Sequence, residues 1–85
     1  MEIVYSSTFV KEYRRLPSKI RLLAEKKEKI FLNDPYATSL KCHALTGKLL
    51  GRWSFSINHQ YRILFRFAGQ NTVWFLRIGT HDIYK

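Results

Sequence analysis

Between residues 52 and 78 apolar and polar positions alternate with period two, interrupted twice by turn residues. In "RWSFSIN", Trp53, Phe55 and Ile57 fall on one side, and Arg52, Ser54, Ser56 and Asn58 on the other. "HQ" at 59–60 suits a tight hairpin connection. "YRILFRF" then sets Tyr61, Ile63, Phe65 and Phe67 against Arg62, Leu64 and Arg66. "AGQN" turns the chain, and "TVWFLRIG" sets Trp74, Leu76 and Ile78 against Val73, Phe75 and Arg77. Successive strand side chains point to opposite faces, so the pattern predicts a meander of three antiparallel strands.

Upstream the period lengthens. "EIVYS" at 2–6 reads as a short strand. Ser7 or Thr8 can cap a helix over "FVKEYRRL", whose Phe9, Tyr13 and Leu16 share one face. Pro17 breaks that helix and suits the first turn of the next. Residues 17–33 form the longest predicted helix, with Ile20, Leu23, Ala24, Ile30 and Phe31 as its apolar stripe. "NDP" stops it, because Pro35 disfavours helix at Asp34. "YATSLKCHALTGKLLG" is a connection with room for a short turn of helix or a strand fragment.

The expected architecture is a small single α+β domain over residues 1–85, β-α-α-β-β-β, with an antiparallel sheet packed on a helical hairpin. The helices should cover the face carrying Trp53, Phe55, Ile63, Phe65, Trp74 and Leu76. The other face should stay partly open and carry Arg52, Ser54, Ser56, Arg62, Arg66 and Arg77.

Charge changes this picture from a fold to a partner. Fifteen Lys and Arg against six Asp and Glu give a net charge of +9 and a pI near 10.1. That balance favours a polyanion. Composition excludes other classes: 46% hydrophobic and 15% aromatic residues are too apolar for a disordered chain. Lone Cys42 excludes an internal disulfide and a cysteine-based zinc site, and suggests a reducing cytoplasm. "MEIVYSSTF" lacks the basic start of a secretory signal, and no run is long enough to span a membrane. His43, His59 and His81 lack ligand-like spacing, so no metal and no cofactor is expected. "LTGKLLG" has the wrong spacing for a phosphate-binding loop and precedes a strand.

An open face with several arginines fits phosphate, because guanidinium forks match phosphate oxygens. The serines leave space for a ligand, and Phe75 and Leu64 offer surface for a base to stack on. The bland alternative is a solvated sheet face. The last residues, "LRIGTHDIYK", place His81, Asp82 and Tyr84 directly behind Arg77. Gly79 lets the chain turn off the strand. A histidine with nearby arginines can drive 2′-hydroxyl attack on an RNA phosphate without a metal.

The ordered motifs resemble the RelE/ParE superfamily of bacterial toxins, in its RelE/YafQ-like branch. They are "L-P" between the helices, "NDP" closing the second, "LTGKLLGRWS" entering the sheet, "YRILF" in the next strand, and "IGTH" near the end. The resemblance covers nearly the whole chain. It implies a compact α+β fold and the toxin role of a type II toxin–antitoxin system. The implied activity is that of a metal-independent endoribonuclease, or mRNA interferase, cutting messenger RNA in the ribosomal A site. Implied partners are a cognate antitoxin protein and the 70S ribosome with bound mRNA, in the cytoplasm and away from membranes. Carried over by position, Arg62 matches the arginine on the scissile phosphate and His81 the C-terminal acid or base. Arg77 matches a basic residue on the last strand, and Tyr84 a C-terminal aromatic. Lys41, Lys48, Arg52 and Arg66 stand as RNA-binding residues. The chain departs from RelE proper on the middle strand, where Ser54 and Ser56 replace a lysine pair. Two rival readings are a ParE-like inhibitor of DNA gyrase that cuts nothing, and a plain RNA-binding module.

Overall fold

Ser6 sets the start of the first helix in the computed structural model, which describes residues 1–85. After β1 (Glu2–Tyr5), Ser6 stays extended, and its Oγ accepts from the Phe9 amide at 2.9 Å. The hydroxyl therefore satisfies one of the free amides at the start of α1 (Ser7–Arg15). This corrects the expected cap by one or two residues: Ser7 and Thr8 are already helical. Leu16 is extended, and Pro17 sits one residue ahead of α2 (Ser18–Asn33) as its cap rather than within its first turn. Its fixed φ leads into the helix, and its carbonyl accepts from Ile20 and Arg21 at 2.9 and 3.0 Å. Asp34 ends α2 as expected, and its carboxylate accepts from the Tyr36 amide at 2.9 Å.

The connection holds 3₁₀ turns at Thr38–Leu40 and Gly47–Leu49, with β2 (His43–Ala44) between them. β3 (Trp53–Ser56), β4 (Arg62–Phe67) and β5 (Thr72–Gly79) follow, then a 3₁₀ turn at His81–Tyr84. The strands form one five-stranded sheet in the order β1-β5-β4-β3-β2. The meander is antiparallel as expected, but β1 lies parallel to β5, so the sheet is mixed. No helix is long and apolar enough to cross a membrane.

The core sits between the helices and one sheet face. Phe31 of α2 stacks on Phe55 at 5.0 Å and meets Phe65 and Phe75 edge-on at 5.0 and 5.5 Å. All four rings are fully buried. Phe9, Ala24, Ile63, Val73 and Ile78 complete the layer, with Tyr13, Leu16, Leu23 and Ile30 packed at its margin.

A β-bulge corrects the faces of β5. Phe65 pairs with Phe75, but Leu64 pairs with Arg77, which leaves Leu76 as the extra residue. Before the bulge Val73 and Phe75 point into the core; after it Ile78 does. Trp74, expected against the helices, is instead 39% exposed on the opposite face, and Leu76 is half-buried outside the core cluster. The bulge is supported by α1 and its cap residue. The Ser6 hydroxyl donates to the Leu76 carbonyl at 2.7 Å, and the Ile78 amide donates to Glu12 at 3.2 Å. Beyond the end of β1, α1 thus supplies the polar partners that the edge of β5 would otherwise lack.

The second sheet face is not open along its middle. The C-terminal 3₁₀ turn lies on it, burying Ile83, and Tyr84 reaches the Ser54 hydroxyl at 2.6 Å. Ser54, Ser56 and Leu64 are buried there, and Phe75 lies in the core. The room read as space for a ligand is filled by the chain's own last residues, and neither Leu64 nor Phe75 offers a stacking surface. Gly79 has ordinary backbone geometry; its value is space, because a Cβ there would lie 3.0 Å from Ile83 Cγ2.

Candidate functional site

Where the face remains accessible, at the start of β4 and the end of β5, it forms a cleft. Arg62 opens β4 and pairs with Gly79, so the segment leaving β5 passes beside it. His81 lies two residues on, at the first position of the final turn. The β3–β4 hairpin folds over from the other side. Together His59, Gln60, Arg62, Thr80 and His81 line a cleft of about 520 Å³ with no hydrophobic residue.

The hairpin also fixes the arginine. Asn58 Oδ1 accepts from the amides of Gln60 and Tyr61 at 2.9 and 2.8 Å, closing a side-chain-to-backbone turn. That turn presents the Asn58 carbonyl to Arg62, whose Nη1 donates to it at 2.6 Å. A second, longer bond at 3.4 Å goes to the Tyr61 carbonyl. Both bonds use Nη1, and no carboxylate neutralises the guanidinium. A positioned, unpaired arginine beside an exposed imidazole can bind a phosphate and exchange protons around it.

The other residues singled out from the sequence fall elsewhere. Arg77 is engaged with Glu12: Nη2–Oε2 is 2.7 Å, and Nε lies 3.3 and 3.4 Å from the two oxygens. The carboxylate's hydrogen bonds hold the guanidinium above its ordinary pKa. The Tyr84 hydroxyl is bound to Ser54, which makes this residue the fastener of the tail. Asp82 pairs with Lys85 at 3.3 Å on the surface. Arg66 lies on the solvent side of β4 with its guanidinium carbon 5.4 Å from the Trp74 ring centroid. Arg52 directly precedes Trp53, the partner of Phe65, which puts it on the same face as Arg66. Lys41 and Lys48 are exposed in the connection flanking β2, and His43 there bonds the Lys41 carbonyl at 3.0 Å.

Sequence reasoning therefore brought Arg62 and His81 to one cleft and missed the hairpin's contribution. His59 and Gln60 lie in the turn between β3 and β4, as expected. The missing signal was that a tight hairpin ahead of Arg62 must fold back beside it.

No family model and no curated protein matches the sequence. Solved structures do match the fold. A YoeB/ParE toxin from Agrobacterium tumefaciens superposes with a TM-score of 0.82, covering 95% of this chain and 99% of that one, at 20% identity. YafQ from E. coli strain BL21(DE3) gives 0.80, covering 98% and 96%, at 17% identity. A chain of the RelBE2 toxin–antitoxin complex from Mycobacterium tuberculosis gives 0.78, covering 94% and 96%, at 21% identity. These likenesses establish that the chain has the fold of the RelE/ParE toxins, as its motifs implied.

Proposed function

We propose that this chain is the toxin of a type II toxin–antitoxin pair and cuts ribosome-bound messenger RNA in the A site. The observation that carries the reading is the cleft itself. A carbonyl-anchored Arg62 at the start of β4 and an exposed His81 in the turn after β5 both line it, in a protein of net charge +9. One fold can host several functions, so the weight rests on these side chains.

The chemistry needs no cofactor. The 2′-oxygen attacks the neighbouring phosphorus, and the P–O5′ bond breaks, leaving a 2′,3′-cyclic phosphate and a 5′-hydroxyl. Arg62 stabilises the charge that builds on the non-bridging oxygens. His81 donates the proton that the leaving 5′-oxygen needs. His59, on the facing hairpin, is the second imidazole available to take the proton from the 2′-hydroxyl. Arg77 and Tyr84 act behind the cleft: one ties β5 to α1, the other holds the tail that carries His81. Lys41, Lys48, Arg52 and Arg66 extend the positive surface, so RNA affinity falls steeply with salt. The solved RelBE2 structure is a toxin–antitoxin complex, which supports a cognate antitoxin as the second partner.

The test is a cleavage assay on purified 70S ribosomes carrying mRNA, with 5′ ends mapped by primer extension. Wild type runs beside folded Arg62→Ala and His81→Ala. A-site cuts that disappear in both variants support the reading. A folded, growth-inhibiting wild type that leaves mRNA intact overturns it, and inhibition of DNA gyrase by that protein favours the ParE-like alternative.

A further inference from the structure

Trp74 is the large aromatic that the β5 bulge turns outward. The residue is 39% exposed on the face of the sheet that also carries the cleft. An exposed tryptophan on a strand costs hydrophobic free energy unless something covers it. Its surroundings say what could. Arg66 is its cross-strand neighbour, with its guanidinium over the ring at 5.4 Å from the centroid, and Arg52 follows on the same face one strand further. Glu2, at the outer strand and paired with Thr72, lies on the same face, and neither arginine forms an ion pair. An aromatic ring with one arginine over it and a second beside it, neither neutralised by a carboxylate, is the arrangement that holds single-stranded nucleic acid: a base stacks on the remaining ring surface or on the guanidinium plane, and phosphates meet the guanidinium groups.

We infer that Trp74, with Arg66 and Arg52, forms a base-stacking platform for an unpaired nucleotide of the RNA whose phosphate lies at Arg62. The inference rests on the proposed RNA-cutting function and adds a second contact to it. Arg66 stands four residues along β4 from Arg62, about 13 Å at strand rise. A strand leaving the cleft crosses the C-terminal turn and reaches the platform within a few nucleotides. The contact is sequence-tolerant, because every base has a face to stack, so it sets affinity and path rather than codon choice.

The test uses a short single-stranded oligoribonucleotide and the same ribose–phosphate chain made abasic. Trp53 and Trp74 are the two tryptophans, so Trp53→Phe isolates the Trp74 emission. The oligonucleotide should quench that emission and the abasic chain should not. In the wild-type background, Trp74→Ala should weaken oligonucleotide binding by roughly tenfold and leave abasic binding unchanged. Arg66→Ala should weaken both and lower the salt slope by about one. Equal oligonucleotide affinity in wild type and Trp74→Ala overturns the platform, and A-site cutting by that variant shows the proposed function standing without it. Trp74-dependent binding with no cutting by wild type leaves the platform and removes the function. Loss of affinity for a purified protein partner alone, with RNA binding intact, makes the face a protein surface and overturns the platform.

Discussion

Arg62 is held by the main chain of Asn58, through a 2.6 Å bond from its Nη1 to the asparagine carbonyl. The carbonyl is aimed by the asparagine's own side chain, which caps the amides of Gln60 and Tyr61. Asn58→Ala should therefore cost about 1 kcal/mol of stability. It should lower the cutting rate more than substrate affinity, because the loosened arginine loses its alignment on the phosphate. Denaturant midpoints beside single-turnover rates check this. Asn58→Asp keeps the acceptor and should restore the turn.

Glu12 is the keystone between α1 and the bulged end of β5. Its carboxylate serves Arg77 and the Ile78 amide. Glu12→Ala leaves a half-buried guanidinium and an edge amide without partners and should cost about 1–3 kcal/mol. Arg77→Lys should recover only part of an Arg77→Ala loss, because an ammonium cannot reproduce the fork. Urea unfolding of the three variants measures this.

Tyr84→Phe tests the tail. It removes the partner of a fully buried Ser54 hydroxyl, and should cost about 1 kcal/mol. The effect should be local: faster amide exchange at Ile83, whose N–H bonds the Thr80 carbonyl at 3.1 Å, with the exchange of β4 unchanged. Cutting should fall with His81's positioning. Exchange measured by NMR, read against activity, separates tail fraying from global loss.

Cys42 should be slow to react. Burial pushes its thiol from the ordinary 9.0 up to about 11. The folded chain keeps the proton over a pH range in which the unfolded chain loses it. At pH 8 alkylation should therefore run about a hundredfold slower than for a free thiol, and rise until pH passes about 11. Denaturant should restore the ordinary rate. The same shift withdraws stability as pH climbs from 9.0 towards about 11. Timed iodoacetamide labelling, followed by mass, is the measurement.

Periodicity was enough to read both helices and the meander, because those elements bury one regular stripe each. It failed at Leu76. A bulge adds one residue to one strand, and nothing in "TVWFLRIG" marks it; only the pairing with β4 and the support from Ser6 and Glu12 do. That single residue exchanged the faces of Trp74 and Phe75. The parallel β1–β5 ladder was equally hidden, since it joins residues some seventy positions apart. Of the site, Arg62 and His81 were legible from strand ends and motif resemblance. His59 was not, because its place in the cleft comes from the hairpin's fold-back. Ser7 and Thr8 were the expected caps; the adjacent Ser6 takes the role because its hydroxyl also bonds the Leu76 carbonyl of β5, a tertiary contact with no local signal.

The order of the strands has a consequence in time. β5 lies in the interior of the sheet between β1 and β4, yet it is the last strand in the chain. Chains emerge from the ribosome N-terminus first. While β5 is still inside the exit tunnel, β1 has no strand to pair with, and Arg62 has no His81 beside it. The cleft therefore cannot form until β5 and the turn behind it have emerged. A chain that has exposed only its first four strands carries Arg62 without the segment that closes the cleft around it.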